Sequence, residues 1–112
     1  MNNSKHTNLE YLETTCGGST DMMHAIIKMF IDSTPPILAE MRNNLMSRNW
    51  DALKSNAHKV KSSFMMIGAL ALGNKLQEIE LSSVNGDELQ LNSMLVIIES
   101  SMEAVIGELK TT

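Results

Sequence analysis

The sequence predicts an all-α protein, an antiparallel up-and-down four-helix bundle with one or two additional short N-terminal helices. Three observations carry that expectation. Apolar residues recur at steps of three and four in every long segment, the spacing that keeps one stripe of a helix facing a core. No segment alternates apolar and polar residues as a half-buried strand would. The breaks between periodic segments are short, which makes consecutive helices antiparallel neighbours. At 112 residues, 43 % of them apolar and 20 % charged, the chain has material for one core and one domain.

Residues 1–7 read as a disordered lead and residues 8–112 as a single helical domain. Asn8 to Thr15 forms a short helix through Leu9 and Leu12, ended by Gly17-Gly18. Ser19 or Thr20 caps the next helix, whose apolar positions are Met23, Ile26, Ile27, Phe30 and Ile31. Thr34-Pro35-Pro36 is expected to stop it near Ser33 and to start another, with Thr34 as cap and proline in the first turn. Ile37, Leu38, Met41 and Leu45 carry that helix to about Ser47. Asn49 caps a helix with Asp51 in its first turn and the stripe Leu53, Ala57, Val60, Phe64 and Ile67. Gly68 suits the left-handed position just past its end. The next seam is Ala69, Leu72, Leu76, Ile79 and Ser83. Asn85-Gly86-Asp87 is a turn, and Asp87 caps a last helix with the seam Leu91, Leu95, Ile98, Met102, Val105 and Leu109. Most of the ten methionines are expected to fill gaps in the core.

Composition narrows the function. A net charge of −4 argues against a nucleic-acid-binding role, which needs a basic footprint. No run reaches the roughly 18 apolar residues of a membrane span, and the polar start Met1-Asn2-Asn3-Ser4-Lys5-His6 lacks a secretory segment, so a cytoplasmic location is expected. The single cysteine, Cys16, forms no internal disulfide, and it and His6 read as bystanders. Asp21-x-x-His24 lacks the second pair and the carboxylates of a bundle metal site, so no metal is expected. There is no glycine-rich phosphate loop, so autokinase activity is not expected.

One side chain stands apart. His58 points about 130° away from the apolar stripe of its own helix, toward solvent. Lys54, Lys61, Ser62 and Met65 fall within about 60° of it. With Lys59, three of the nine Lys/Arg residues lie within eight positions around it, a spot suited to an acidic partner or a phosphoryl group. Imidazole is nucleophilic near neutral pH. Lys61, one turn on, is placed to neutralise a phosphoryl group on the ring, and Ser62 is small enough to leave the ring accessible and able to add a hydrogen bond. Lys54, Lys59 and Met65 are the expected partner contacts, Met65 as an exposed, flexible thioether.

The pattern Ala-His-x-x-Lys-Ser-x-x-x-x-x-Gly-Ala-x-x-Leu from Ala57, followed by Glu80, resembles the histidine-containing phosphotransfer (HPt) domain of two-component phosphorelays. Phe30, the Pro35-Pro36 break and Asn49-Trp50 fit that family's layout, and the resemblance spans roughly residues 9 to 110. It implies a relay: a histidine on an exposed helix of a four-helix bundle takes a phosphoryl group from a receiver-domain aspartyl-phosphate and passes it to another receiver aspartate. By that resemblance His58 is the phosphorylated position, Lys61 the phosphate-neutralising lysine and Ser62 the small residue that gives the receiver room. Gly68 matches the helix–helix turn, and Glu80 a position whose side chain can hold the imidazole through its other nitrogen. The implied partners are response-regulator receiver domains and a hybrid sensor kinase. Magnesium belongs to the receiver, so no cofactor is expected here, and a monomer is the default. Val60 in place of a more usual leucine and Lys75 in an often apolar place are departures. The alternative is a helical adaptor that docks partners through the same face without phosphorylation.

Overall fold

The computed structural model describes residues 6–111. Its helices are α1 (Glu10–Thr15), α2 (Thr20–Met46), α3 (Trp50–Met66), α4 (Leu70–Ser82) and α5 (Glu88–Lys110), with a 3₁₀ turn at Ser83–Asn85 between the last two. No strand occurs among the described residues. Each of α2 to α5 packs against its neighbours in chain order, and α5 closes the ring against α2. The expected four-helix bundle with one short N-terminal helix is therefore the fold. Side-chain caps start three of the helices. Ser19 accepts from the Met22 N–H at 3.2 Å, Asn49 from Ala52 at 3.3 Å and Asp87 from Gln90 at 3.2 Å.

The predicted break at Thr34-Pro35-Pro36 is absent, because α2 runs unbroken through both prolines for 27 residues. The buried stripe explains why. Met23, Ile27, Phe30, Thr34, Leu38, Met41 and Leu45 keep steps of three and four across the prolines, so one face packs into the core without a change of register. Proline removes the N–H groups that would bond the carbonyls of Ile31 and Asp32. Both prolines are exposed, as is Asp32, so the freed groups lie on the side where water can satisfy them. Thr34, expected as a cap, is instead a core residue, 1 % exposed. The methionines also depart from expectation. Met23, Met41, Met94 and Met102 are buried, but Met22, Met29 and Met46 lie off the α2 stripe and are exposed.

The helix that positions the site is α3. Leu53, Ala57, Val60 and Phe64 are essentially fully buried, and Phe64 meets Phe30 of α2 edge to face with ring centroids 5.1 Å apart. α2 is further tied to α3 by Asn44 to Asn56 and to α5 by Arg42, which forks onto Glu99 and also reaches Asn92. By length and composition α5 is the one helix among the described residues that could cross a membrane, contrary to the expectation that no segment qualifies. Its seam from Leu91 to Leu109 is packed inside the bundle.

The N-terminal segment is fastened at both ends. Of the expected lead, residues 1–5 lie outside the described residues, and His6 and Thr7 are hydrogen-bonded to α5. Glu108 accepts from the backbone N–H groups of His6 and Thr7, from the Thr7 hydroxyl, and from His6 Nδ1, at 2.9 to 3.0 Å. Farther on, the Asn8 N–H donates to the Ile67 carbonyl at 3.1 Å, and Leu12 is fully buried. Burial pushes the Glu108 carboxyl upward, but the hydrogen bonds from His6 and Thr7 outweigh it and hold the group at about 2. A carboxylate depressed in the folded state stabilises fully above its unfolded value near 4.5, and that contribution is lost as pH falls toward about 2. Urea titrations of the wild type and Glu108→Gln should differ by about 1 to 2 kcal/mol at pH 6 once solvent screening is allowed for. The gap should shrink by more than half at pH 3, and a gap independent of pH would contradict this account.

Candidate functional site

The inward stripe of α3 fixes the helix, and its rotation leaves His58 with a side chain 70 % exposed. Glu80 comes from the facing helix α4, next to buried Ile79, and its carboxylate reaches between two residues of α3. Glu80 Oε2 lies 2.9 Å from His58 Nδ1, and Oε1 lies 3.3 Å from Lys61 Nζ. An ionised carboxylate only accepts, so the ring proton is assigned to Nδ1, and Nε2 of the neutral ring keeps its lone pair. Burial pushes the Glu80 carboxyl upward; hydrogen bonds from His58 and Lys61, together with the Lys61 charge, pull it below the usual carboxylate range. One carboxylate thus orients the imidazole and grips the lysine.

The remaining predicted residues fall around this trio. Lys61 is half-buried, held by Glu80. Ser62 is exposed, and its hydroxyl donates to the Lys59 carbonyl at 3.2 Å, onto its own helix rather than to the imidazole. Lys54 and Lys59 are exposed, with no ion pair among the described residues. Met65 is half-buried rather than exposed, because its thioether lies across Gly73 of α4: a Cβ there would come within 2.7 Å of Met65 Cε. A lone glycine inside a helical pattern was the available signal for that close approach. Gly68 has φ +72°, as the turn requires. Lys75, the departure from the pattern, is half-buried with its ammonium 3.7 Å from Glu78. Asp21 and His24 are both exposed, and no group of three potential metal ligands gathers among the described residues.

A feature that the periodicity did not reveal borders the trio. Lys61 and Ser62 also line an open groove of about 690 Å³ between the α3–α4 corner and the N-terminal segment. Its apolar surface comes from Tyr11, Met65, Met66 and Leu70.

The model of the Hpt domain family matches residues 25–110, which is most of the chain and includes His58, Lys61 and Glu80. The chain belongs to the Hpt domain family. No curated protein and no solved structure gives a significant match. Hpt domains are phosphocarriers of histidine phosphotransfer in two-component signalling, and they work with receiver domains and kinases in phosphorelays. The helical bundle described above is the architecture of such a domain.

Proposed function

We propose that this Hpt domain is a phosphorelay intermediate whose His58 accepts a phosphoryl group from a receiver aspartyl-phosphate and passes it to the aspartate of another receiver. The observation that carries the reading is an exposed imidazole on a rigid helix, with Nδ1 held by an ionised carboxylate and Nε2 left unengaged by it. In the forward step the Nε2 lone pair attacks phosphorus, the N–P bond forms, and the bond from phosphorus to the aspartyl oxygen breaks with its electrons returning to the partner's carboxylate. The phosphorylated ring gains positive charge, which Glu80 stabilises through the Nδ1–H bond. Lys61 offsets the phosphoryl charge, and small Ser62 leaves the receiver room to approach. Transfer to the second receiver is the reverse sequence. Lys54, Lys59 and Met65 contact the incoming partner.

Receivers and a hybrid sensor kinase are the proposed partners, with magnesium bound by the receiver. The protein itself works as a cytoplasmic monomer without a cofactor, autokinase activity, nucleic acid or a membrane. The test is incubation with a receiver phosphorylated on aspartate. Label that moves to this chain and is acid-labile and alkali-stable is the expected result. Failure of every receiver encoded in the same genome to transfer label overturns the relay and leaves docking without phosphorylation. Within the relay, Lys61→Ala should slow transfer about 10- to 100-fold through loss of charge stabilisation. Glu80→Gln, which keeps the size but removes the charge, should slow it about 10-fold, measured as single-turnover rates at a fixed receiver concentration.

A further inference from the structure

Glu80 differs from a neutral hydrogen-bonding side chain in its charge, and two groups share that charge. Oε2 holds His58 Nδ1 at 2.9 Å while Oε1 holds Lys61 Nζ at 3.3 Å. The Glu80 and Lys61 side chains are only 18 % and 24 % exposed, whereas His58 is 70 % exposed. Their charges are therefore screened less than those of Lys54 and Lys59, which are exposed. An amide in place of the carboxylate would orient the ring as well, because its oxygen also accepts from Nδ1–H. It would not change the relative energies of the free and the phosphorylated ring by charge.

Those energies follow from where each charge sits. Before transfer the ring is neutral, and Glu80 pairs with Lys61. In the transfer step the Nε2 lone pair forms the N–P bond, the electrons of the broken P–O bond return to the receiver's carboxylate, and the proton stays on Nδ1. The ring then carries a positive charge beside Glu80, and a phosphoryl group with about two negative charges stands on its far side. For Glu80, attraction to the ring at about 3 to 4 Å and repulsion from the phosphoryl group at roughly 7 Å nearly cancel, since Coulomb energy falls as 1/r. Lys61 tips that balance. Its ammonium lies one turn along α3 from His58, and turning it from Glu80 to the phosphoryl group cuts the repulsion to about half. The four groups then alternate in sign: Lys61, phosphoryl, ring and Glu80.

Building on the relay proposed above, we infer that Glu80 and Lys61 together set the resting place of the phosphoryl group, biasing its equilibrium toward His58 and away from the donor receiver. The domain loads and holds the group, and it discharges to a receiver whose own site stabilises the aspartyl-phosphate more strongly.

The experiment uses the full chain and a receiver phosphorylated on aspartate, with magnesium present. Single-turnover rate constants are measured for loading from the phosphorylated receiver and for discharge of the labelled chain to the same receiver. Their ratio, loading over discharge, is the quantity read, and circular dichroism first shows that each variant is folded. Glu80→Gln should lower the ratio about 10-fold, the difference between a charge-assisted and a neutral hydrogen bond, by slowing loading more than discharge. Glu80→Asp keeps the charge but shortens the reach, so it should slow both directions and hold the ratio within about 3-fold of the wild type. In a Lys61→Ala background, Glu80→Gln should move the ratio by less than about 3-fold. A carboxylate that only orients the ring speeds both directions equally, so an unchanged ratio in Glu80→Gln would overturn this inference while leaving the relay intact. An undiminished shift in the Lys61→Ala background would overturn it too, because the two residues would then act separately. Failure of every receiver to load the wild type would overturn the relay, and this inference with it.

Discussion

Substituting glutamine for His58 is expected to abolish acid-labile, alkali-stable labelling and to leave the fold in place. The two halves of that expectation have separate physical grounds. Glutamine has no nitrogen lone pair able to form the N–P bond, since its amide nitrogen is conjugated with the carbonyl. The fold is spared because the His58 side chain is 70 % exposed and contributes nothing to the stripe of Leu53, Ala57, Val60 and Phe64 that anchors α3. A glutamine amide can also donate to Glu80, so the carboxylate that grips Lys61 is not left without a partner on that side. Loss of stability should stay near about 0.5 kcal/mol, a melting shift of no more than a few degrees. Transfer from a phosphorylated receiver, run beside a thermal melt, checks both halves. The chain has three histidines, and label persisting on His58→Gln would place the chemistry elsewhere. His6 is engaged with Glu108, whereas His24 is exposed on α2 without a hydrogen bond among the described residues, so neither has the carboxylate-and-lysine setting of His58.

What the sequence made legible and what it hid divide along the distance over which the relevant forces act. Periodicity is local, so the stripes of α3, α4 and α5, the caps Asn49 and Asp87, and the outward angle of His58 could all be read from spacing. Lys61 was legible from its place one turn beyond His58 and Glu80 only through the family pattern, and the structure brings both onto one carboxylate bridge with the ring. Pro35-Pro36 misled because local chemistry argued for a stop, whereas the stripe from Phe30 through Thr34 to Leu38 kept its register and tertiary packing prevailed. The fastening of His6 and Thr7 depends on a carboxylate about a hundred residues away, a pairing that no periodicity encodes. The groove that Lys61 and Ser62 line was hidden for the same reason. It exists only where the N-terminal segment lies against the α3–α4 corner.

Gly68→Ala should cause the largest loss of stability among single changes near the site, about 2 to 4 kcal/mol, because two independent requirements meet at that residue. The first is its backbone, with φ +72°, where an alanine side chain costs about 1 to 2 kcal/mol. The second is space. A Cβ at position 68 would lie 1.9 Å from the Asn8 carbonyl oxygen and 2.6 Å from the Asn8 nitrogen and carbonyl carbon, all backbone atoms that cannot rotate away. Moving Asn8 breaks its 3.1 Å bond to Ile67, worth about 1 kcal/mol, and loosens Leu12 in its buried seat. Gly18→Ala separates the two costs, since Gly18 also has a left-handed φ, +82°, but nothing lies within 4 Å of the added Cβ. It should therefore lose only the backbone share. In thermal melts this corresponds to a drop of roughly 10 to 15 °C for Gly68→Ala and about 5 °C for Gly18→Ala. Equal losses in the two variants would mean that the N-terminal segment yields freely at Asn8. A larger loss in Gly68→Ala would show that the segment resists displacement at Asn8.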